Sequence, residues 1–211
     1  MARFSANIDA DFTASSINDA DGTIDINDFV MENVDSTGSS YRLNNLHINS
    51  GYEDNTHFLR IKGDMGEADI RGTFDWNTLA QSFVNYTASL LPTMPGIPQK
   101  RQHTDNHFVA NIRLTDTDWM NRLFDIPVNI LRPLSLQATI DDIHKQVNMK
   151  GSLPLFSYEG KRYRDALVDI TTEQDTMKYN VDLTKEMDDG SVLDLNVSGQ
   201  AADNQLLASL R

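Results

Sequence analysis

Phe74–Pro98 reads FDWNTLAQSFVNYTASLLPTMPGIP and is the longest stretch of the chain without strand alternation. Asp75 stands where a side-chain oxygen can cap a first turn. Leu79, Phe83, Tyr86 and Leu90 follow at spacings of four, three and four, one stripe of a helix, and Leu91 widens it. Pro92, Pro95 and Pro98 end that helix, because proline lacks the amide that would continue it. Nearly everything else alternates with period two. The spacing therefore predicts an amphipathic helix with a proline-rich exit over 76–98. It separates a first β-meander over 1–75 from a short helix and second meander over 99–211.

Working outward, Phe4, Ile8 and Phe12 make a one-sided strand. Ile24 and Ile26 begin the next, and Phe29 continues it on the other phase, which predicts a bulge. Tyr41, Leu43, Leu46 and Ile48 slip phase in the same way. Beyond the helix, Phe108, Ala110, Ile112 and Leu114 alternate cleanly. Thr115 or Asp116 can cap a short helix that turns Trp119, Leu123 and Phe124 inward. Leu134 to Ile140, Val147 to Leu155, Tyr163 to Ile170, Tyr179 to Leu183 and Val192 to Val197 complete the series. Gly151 and Pro154 mark an irregularity in one of these strands. Asp188-Asp189-Gly190 marks a hairpin turn. Tyr41-Arg42 to Ile48 and Tyr163-Arg164 to Ile170 echo one another, as two copies of a meander would.

The balance of 31 acids against 18 bases gives a net charge of −13. Such a chain repels phosphate backbones, which argues against nucleic acid as a partner and against docking on an anionic membrane surface. Without cysteine there are no disulfides or thiolate metal sites. No run approaches the ~20 apolar residues of a membrane span. The abrupt start and finish in strand patterns suggest a piece of a longer protein, with any membrane anchor elsewhere.

About a dozen one-sided strands and two helices leave much apolar face to cover, at roughly 25 cal/mol per Å². Two sheets packed as a sandwich, a closed barrel, and a curled groove met by helices, lipid or a partner all solve the problem. Composition does not choose among them.

The polar constellations read as turn chemistry. Asp19, Asp21, Asp25 and Asp28 around Gly22 mimic part of a calcium loop, but Ile17 falls where the first carboxylate belongs, and strand patterns flank it. His103 and His107 have helical ligand spacing in a loop context, with no evident third ligand. The pairs Asp141-Asp142 and Asp188-Asp189 sit in turns. No nucleophile elbow or phosphate-cradling loop is present. Trp76 and Trp119 stand near helix starts as anchors to the sheet. This reading assigns no catalytic residue, metal or cofactor.

Several phrases together resemble a known family. They are the stretch Phe74–Pro98 with its Leu-Pro-Thr-Met-Pro-Gly exit and the Asp-Trp-Met helix at Asp118–Met120. With them go Pro-Leu-Ser-Leu-Gln-Ala at Pro133–Ala138 and Met-Asp-Asp-Gly at Met187–Gly190. The chain resembles an internal segment of TamB-like proteins of the AsmA-like superfamily. The resemblance implies a mostly β fold, a curled antiparallel β-groove or taco built from two meanders. It implies a periplasmic section of an inner-membrane-anchored envelope protein, without catalysis. Such a section moves phospholipid between inner and outer membrane or assists outer-membrane protein assembly. On that reading Phe108, Ile112, Leu136, Ile140, Val181, Leu183, Leu193 and Leu195 line the groove. Leu79, Phe83, Tyr86 and Leu90 form a helical lid that caps or gates one end. The alternative is a β-sandwich module that recognises protein or carbohydrate.

Overall fold

A computed structural model describes residues 2–14, 17–33, 40–96, 102–124, 126–187 and 189–211. The first strands are β1 (Ala2–Thr13), β2 (Asp21–Asn33), β3 (Ser40–Glu53), β4 (Thr56–Gly63) and β5 (Gly66–Thr73). Helix α1 (Leu79–Leu90) follows, then β6 (His107–Leu114), helix α2 (Asp118–Phe124) and the short β7 (Val128–Ile130). The chain closes with β8 (Leu134–Asp141), β9 (Gln146–Tyr158), β10 (Lys161–Glu173), β11 (Thr176–Glu186), β12 (Val192–Ala202) and β13 (Gln205–Leu210).

All thirteen strands belong to one antiparallel sheet. Its order follows the chain from β1 to β13, except that β7 lies off the path, paired to the far half of β9. The sheet is neither a sandwich nor a closed barrel. Of the three solutions open to one-sided strands, the chain adopts the curled open sheet. The two meanders are continuous with one another, because β5 and β6 pair directly across the long α1 connection.

Local irregularities fall where the alternation slips. Asp28 takes φ 53° in β2, and the β1–β2 register shifts between Ser5 and Asn7. The same face therefore carries Ile24 and Ile26 below the bulge and Phe29 and Met31 above it. Strand β3 changes phase alongside, from Ile48 and Leu46 to Leu43 and Tyr41. A second bulge at Asp165, φ 53°, interrupts β10 between Arg164 and Leu167. Pro154 falls in the stretch of β9 between the residues paired to β8 and those paired to β7, where its missing amide leaves no ladder bond unmade. Gly190 takes φ 82° in the β11–β12 turn, where the sequence placed a hairpin. Asp188 lies outside the described residues.

Helix α1 lies across the strands rather than along them. Near its start, Ser82 Oγ donates to Asp142 in the β8–β9 turn, 2.8 Å. Near its end, the Leu90 carbonyl accepts from Asn204 in the β12–β13 turn, 2.8 Å. Eight residues of helix advance about 12 Å. The sheet path between those two turns is four strand spacings, about 19 Å. A chord shorter than its arc is what a sheet curled toward the helix requires.

The helix begins later than the sequence suggests. Thr78, not Asp75, occupies the cap position, without a side-chain cap bond. Asp75 instead organises the preceding turn, where Oδ1 accepts from the Asn77 amide at 2.9 Å and from Asn18 Nδ2 at 2.8 Å. Those hydrogen bonds favour its ionised form and hold the carboxyl below its ordinary pKa.

Three buried clusters share the curled face. Tyr86, Leu90 and Leu91 of the α1 region meet Val147 and Ala201, with Met177 alongside. Ile70, Phe74, Phe108 and Ala110 form the second, joined by Leu79. Met31, Tyr41 and Leu43 form the third, covered by Trp119 of α2.

Candidate apolar groove

Strand register turns the alternating residues into ladders that cross the whole sheet. The central ladder runs through directly paired residues: Ala10, Ile24, Ile48, Ile61, Ala68, Ile112, Leu136, Gly151, Val168, Val181, Val197 and Leu210. It contains no polar side chain, and none of its residues is buried. One turn of pleat away, Phe12, Gly22, Ser50, Leu59, Ile70, Ala110, Ala138, Met149, Ile170, Tyr179, Gly199 and Ala208 make a second ladder, with Ser50 and Tyr179 its only hydroxyls.

The eight lining residues read from the sequence share this face. Ile112, Leu136 and Val181 stand in the central ladder. Phe108 pairs with Ile140 near one end of the strands, and Leu183 with Leu195 toward the other. Leu193, opposite Lys185, is 45% exposed. Phe108 is the one of the eight that is buried, in the cluster under the start of α1.

The four lid residues do not act alike. Tyr86 and Leu90 are buried against the sheet and Leu79 is half-buried. Phe83, expected on the packed stripe, is 43% exposed. Thr78, Ser82, Tyr86 and Leu90 are buried along one line of the helix, Ala88 is buried off it, and Phe83 lies to one side of that line. Nor does α1 plug an end of the groove. It lies along one rim, at the Thr73, His107 and Asp141 ends of the strands, while α2 lies at the opposite rim, beyond Leu114.

A buried polar network, not readable in the sequence, fixes α1 to that rim. Asn106, with no exposed surface, donates through Nδ2 to Ser82 Oγ at 2.7 Å and Thr78 Oγ1 at 3.1 Å. Its Oδ1 accepts from the Asp75 amide at 2.7 Å, and its own amide donates to Asp142 at 2.8 Å. Farther along, the Tyr86 hydroxyl bonds Thr172 Oγ1, which in turn takes the Val147 amide at 3.0 Å. These partners lie 24 to 86 residues apart, so no local pattern announces them.

The polar constellations are otherwise engaged. Asp25 bonds the His47 ring at 2.7 Å and Asp28 accepts from Asn7 at 3.1 Å, two places along a strand rather than one loop. His107 and His144 present Nδ1 to Asp141 at 3.1 and 2.7 Å. Burial pushes the Asp141 carboxyl up. The His144 amide and ring bonds, with the charges of both rings, outweigh it and hold the group below the ordinary range. His103 lines a hollow together with Asn85, Asp141, Asp142 and Lys145. Asp189 accepts from the Ser191 amide at 2.9 Å.

One arrangement escaped the sequence: Ser50 Oγ lies 3.0 Å from His57 Nε2, both buried. The hydroxyl also reaches the Phe58 carbonyl at 3.3 Å, and the imidazole tautomer sets which of Ser50 and His57 donates to the other. His57 stacks between Tyr52 and Phe74, which makes it part of an aromatic rim.

The opposite face is charged. Arg60 and Arg71 both reach Glu53 and Asp69, at 2.9 to 3.3 Å. A hollow of about 470 Å³ opens beside them, lined by Lys62, Glu67 and Arg113 together with Ile61, Ala68, Ile112 and Leu136 of the central ladder.

No protein-family model, curated protein or solved structure matches this chain.

Proposed function

We propose that this chain is a non-enzymatic section of a TamB-like envelope protein, and that its apolar β-groove conducts phospholipid acyl chains between inner and outer membrane. The observation that carries this reading is the central ladder, twelve strands long, apolar throughout and nowhere buried. Acyl chains are the ligand that such a surface suits. Each methylene withdrawn from water there contributes ~0.8 kcal/mol without any specific contact. The charged outer face suits the aqueous periplasm, and α1 and α2 leave the strip between the two rims open.

The resemblance of Phe74–Pro98, Asp118–Met120, Pro133–Ala138 and Met187–Gly190 to that family supports the same reading. A role in outer-membrane protein assembly is the second reading. It draws on β1 and β13, each of which pairs on one side only among the described residues, so that an extended strand can add there.

The test is direct. Protein purified without detergent is extracted for lipid, then delipidated and titrated with a fluorescent acyl probe. The reading expects co-purified phospholipid and saturable probe binding that free fatty acid displaces. A folded, delipidated protein that leaves the probe in water sinks it.

A further inference from the structure

We propose, resting on the acyl-groove reading, that Lys161 and Lys185 form a headgroup site for an anionic glycerophospholipid, gripping its phosphodiester while its chains lie along the open strip.

Cross-strand pairing sorts the strand residues onto two faces. The bulged Asp28 and Asp165 meet Asn7 and Arg164 of the outer face. Of the other Asp, Glu, Lys and Arg residues in the described strands, all stand on the outer face except Lys161 and Lys185. A chain of net charge −13 thus sets no strand carboxylate on its apolar face, and sets two cations there.

The two lysines are neighbours. Lys185 stands directly opposite Tyr163, and Lys161 is two residues from Tyr163 on β10. That diagonal sets their backbones about 7–8 Å apart, close enough for both ammoniums to reach one anion. The bulge at Asp165 puts Lys161 on this side, because it resets the phase of β10 so that Tyr163 shares the face of Val168. Among the described residues neither ammonium has an ion-pair or hydrogen-bond partner, whereas Arg60, Arg71, Arg122 and Lys178 are all paired.

The surroundings suit the junction of a lipid's head with its chains. Direct pairing lines up Ile130, Phe156, Tyr163, Lys185 and Leu193 in one row, and the Phe156 and Tyr163 rings stack at 5.2 Å. Ile130 is buried and Leu193 is 45% exposed, so the row is closed at one end and open at the other. From Lys185 the strand leads over Leu183 to Val181 of the central ladder, about 13 Å away. Lysine meets phosphate as a point charge, and its stem lies readily on apolar surface. With no carboxylate on this face of the strands to receive an ammonium headgroup, the site favours phosphatidylglycerol over phosphatidylethanolamine.

The delipidated 211-residue chain, loaded with an uncharged fluorescent acyl probe, tests this by titration with dihexanoyl phosphatidylglycerol or dihexanoyl phosphatidylethanolamine, both as monomers. Phosphatidylglycerol is expected to displace the probe at about tenfold lower concentration, the worth of one charged hydrogen bond, and the gap to narrow as salt rises. Glycerol phosphate, which has no chains, is expected at the same concentrations to leave both the probe and that preference in place. Lys161→Gln with Lys185→Gln is expected to bring the two lipids level, and Lys161→Arg with Lys185→Arg to keep them apart. Circular dichroism checks that both are folded, and Lys161→Gln alone, at an exposed position, is expected to narrow the gap. A probe that never binds overturns the groove reading and the site with it. A probe that binds, with the lipids level on the unmodified chain, with a preference that survives the glutamines, or with glycerol phosphate erasing it, overturns the headgroup site alone.

Discussion

Two strips of the same apolar face run side by side and have opposite fates. Near one rim, Val147 and Ala201 lie under Tyr86, Leu90 and Leu91 and have almost no exposure. In the middle, Ile112, Leu136, Val168 and Val181 are only half-buried and stand outside the clusters that α1 and α2 join. Side-chain chemistry does not separate them. What separates them is a helix held off centre by polar bonds at both ends. The covered strip holds the fold together. The open strip is the surface on which the acyl-chain proposal rests.

Variants that strike each strip separately test that division. The largest effect is expected under the helix, where Leu90→Ala should cost about 2–5 kcal/mol, read from the urea midpoint. Phe83→Ala, one helical stripe away but exposed, should cost less than about 1 kcal/mol. Equal costs would mean that the strips are not distinct.

Next in size is the anchor itself. Asn106→Ala strands the Asp75 amide and leaves Ser82 and Thr78 short of a partner, while the backbone amide at 106 keeps its bond to Asp142, at about 1–3 kcal/mol. Hydrogen exchange should rise first in α1. A uniform rise across the sheet would deny the network its role of holding the helix.

A smaller effect belongs to the other rim. Burial beside Asp116, Asp118 and Asp64 pushes the Tyr41 phenol up to about 12. Its folded pKa is raised, so its contribution is complete below pH 10 and is lost as pH rises from 10 through about 12. Tyr41→Phe should flatten stability over that window, as followed by thermal melts at stepped pH.

The smallest change in stability is expected in the open strip. Leu136→Gln with Val181→Thr should shift the midpoint by about 1 kcal/mol or less. Acyl-probe binding should nevertheless fall several-fold. Loss of fold in place of loss of binding would make the central ladder a core.

Alternation alone revealed the one-sided strands, and the slips at Phe29 and between Leu43 and Leu46 marked the coupled phase change of β2 and β3. Pro92 marked the end of α1. The spacing of Leu79, Phe83, Tyr86 and Leu90 showed a stripe but not the direction from which the sheet meets it, so Phe83 was placed in the contact. Asp75 satisfied a capping rule, yet its oxygens serve the turn before Thr78. The choice between sandwich, barrel and open sheet was not legible, because period two says which residues share a face and nothing about what lies opposite. The Asn106 network was hidden for a simpler reason: each of its bonds is long-range.

The sheet order that follows chain order also has a kinetic consequence. Most strands pair with the segment just synthesised, so loop-closure entropy is small at nearly every step. Structure can spread hairpin by hairpin in one dimension, as in repeat arrays. Two junctions are exceptions: β6–β8 closes across α2 and β7, and the longest closure is β5–β6, across the whole α1 segment. That junction is the natural bottleneck where two quickly formed zippers wait to become one cooperative unit.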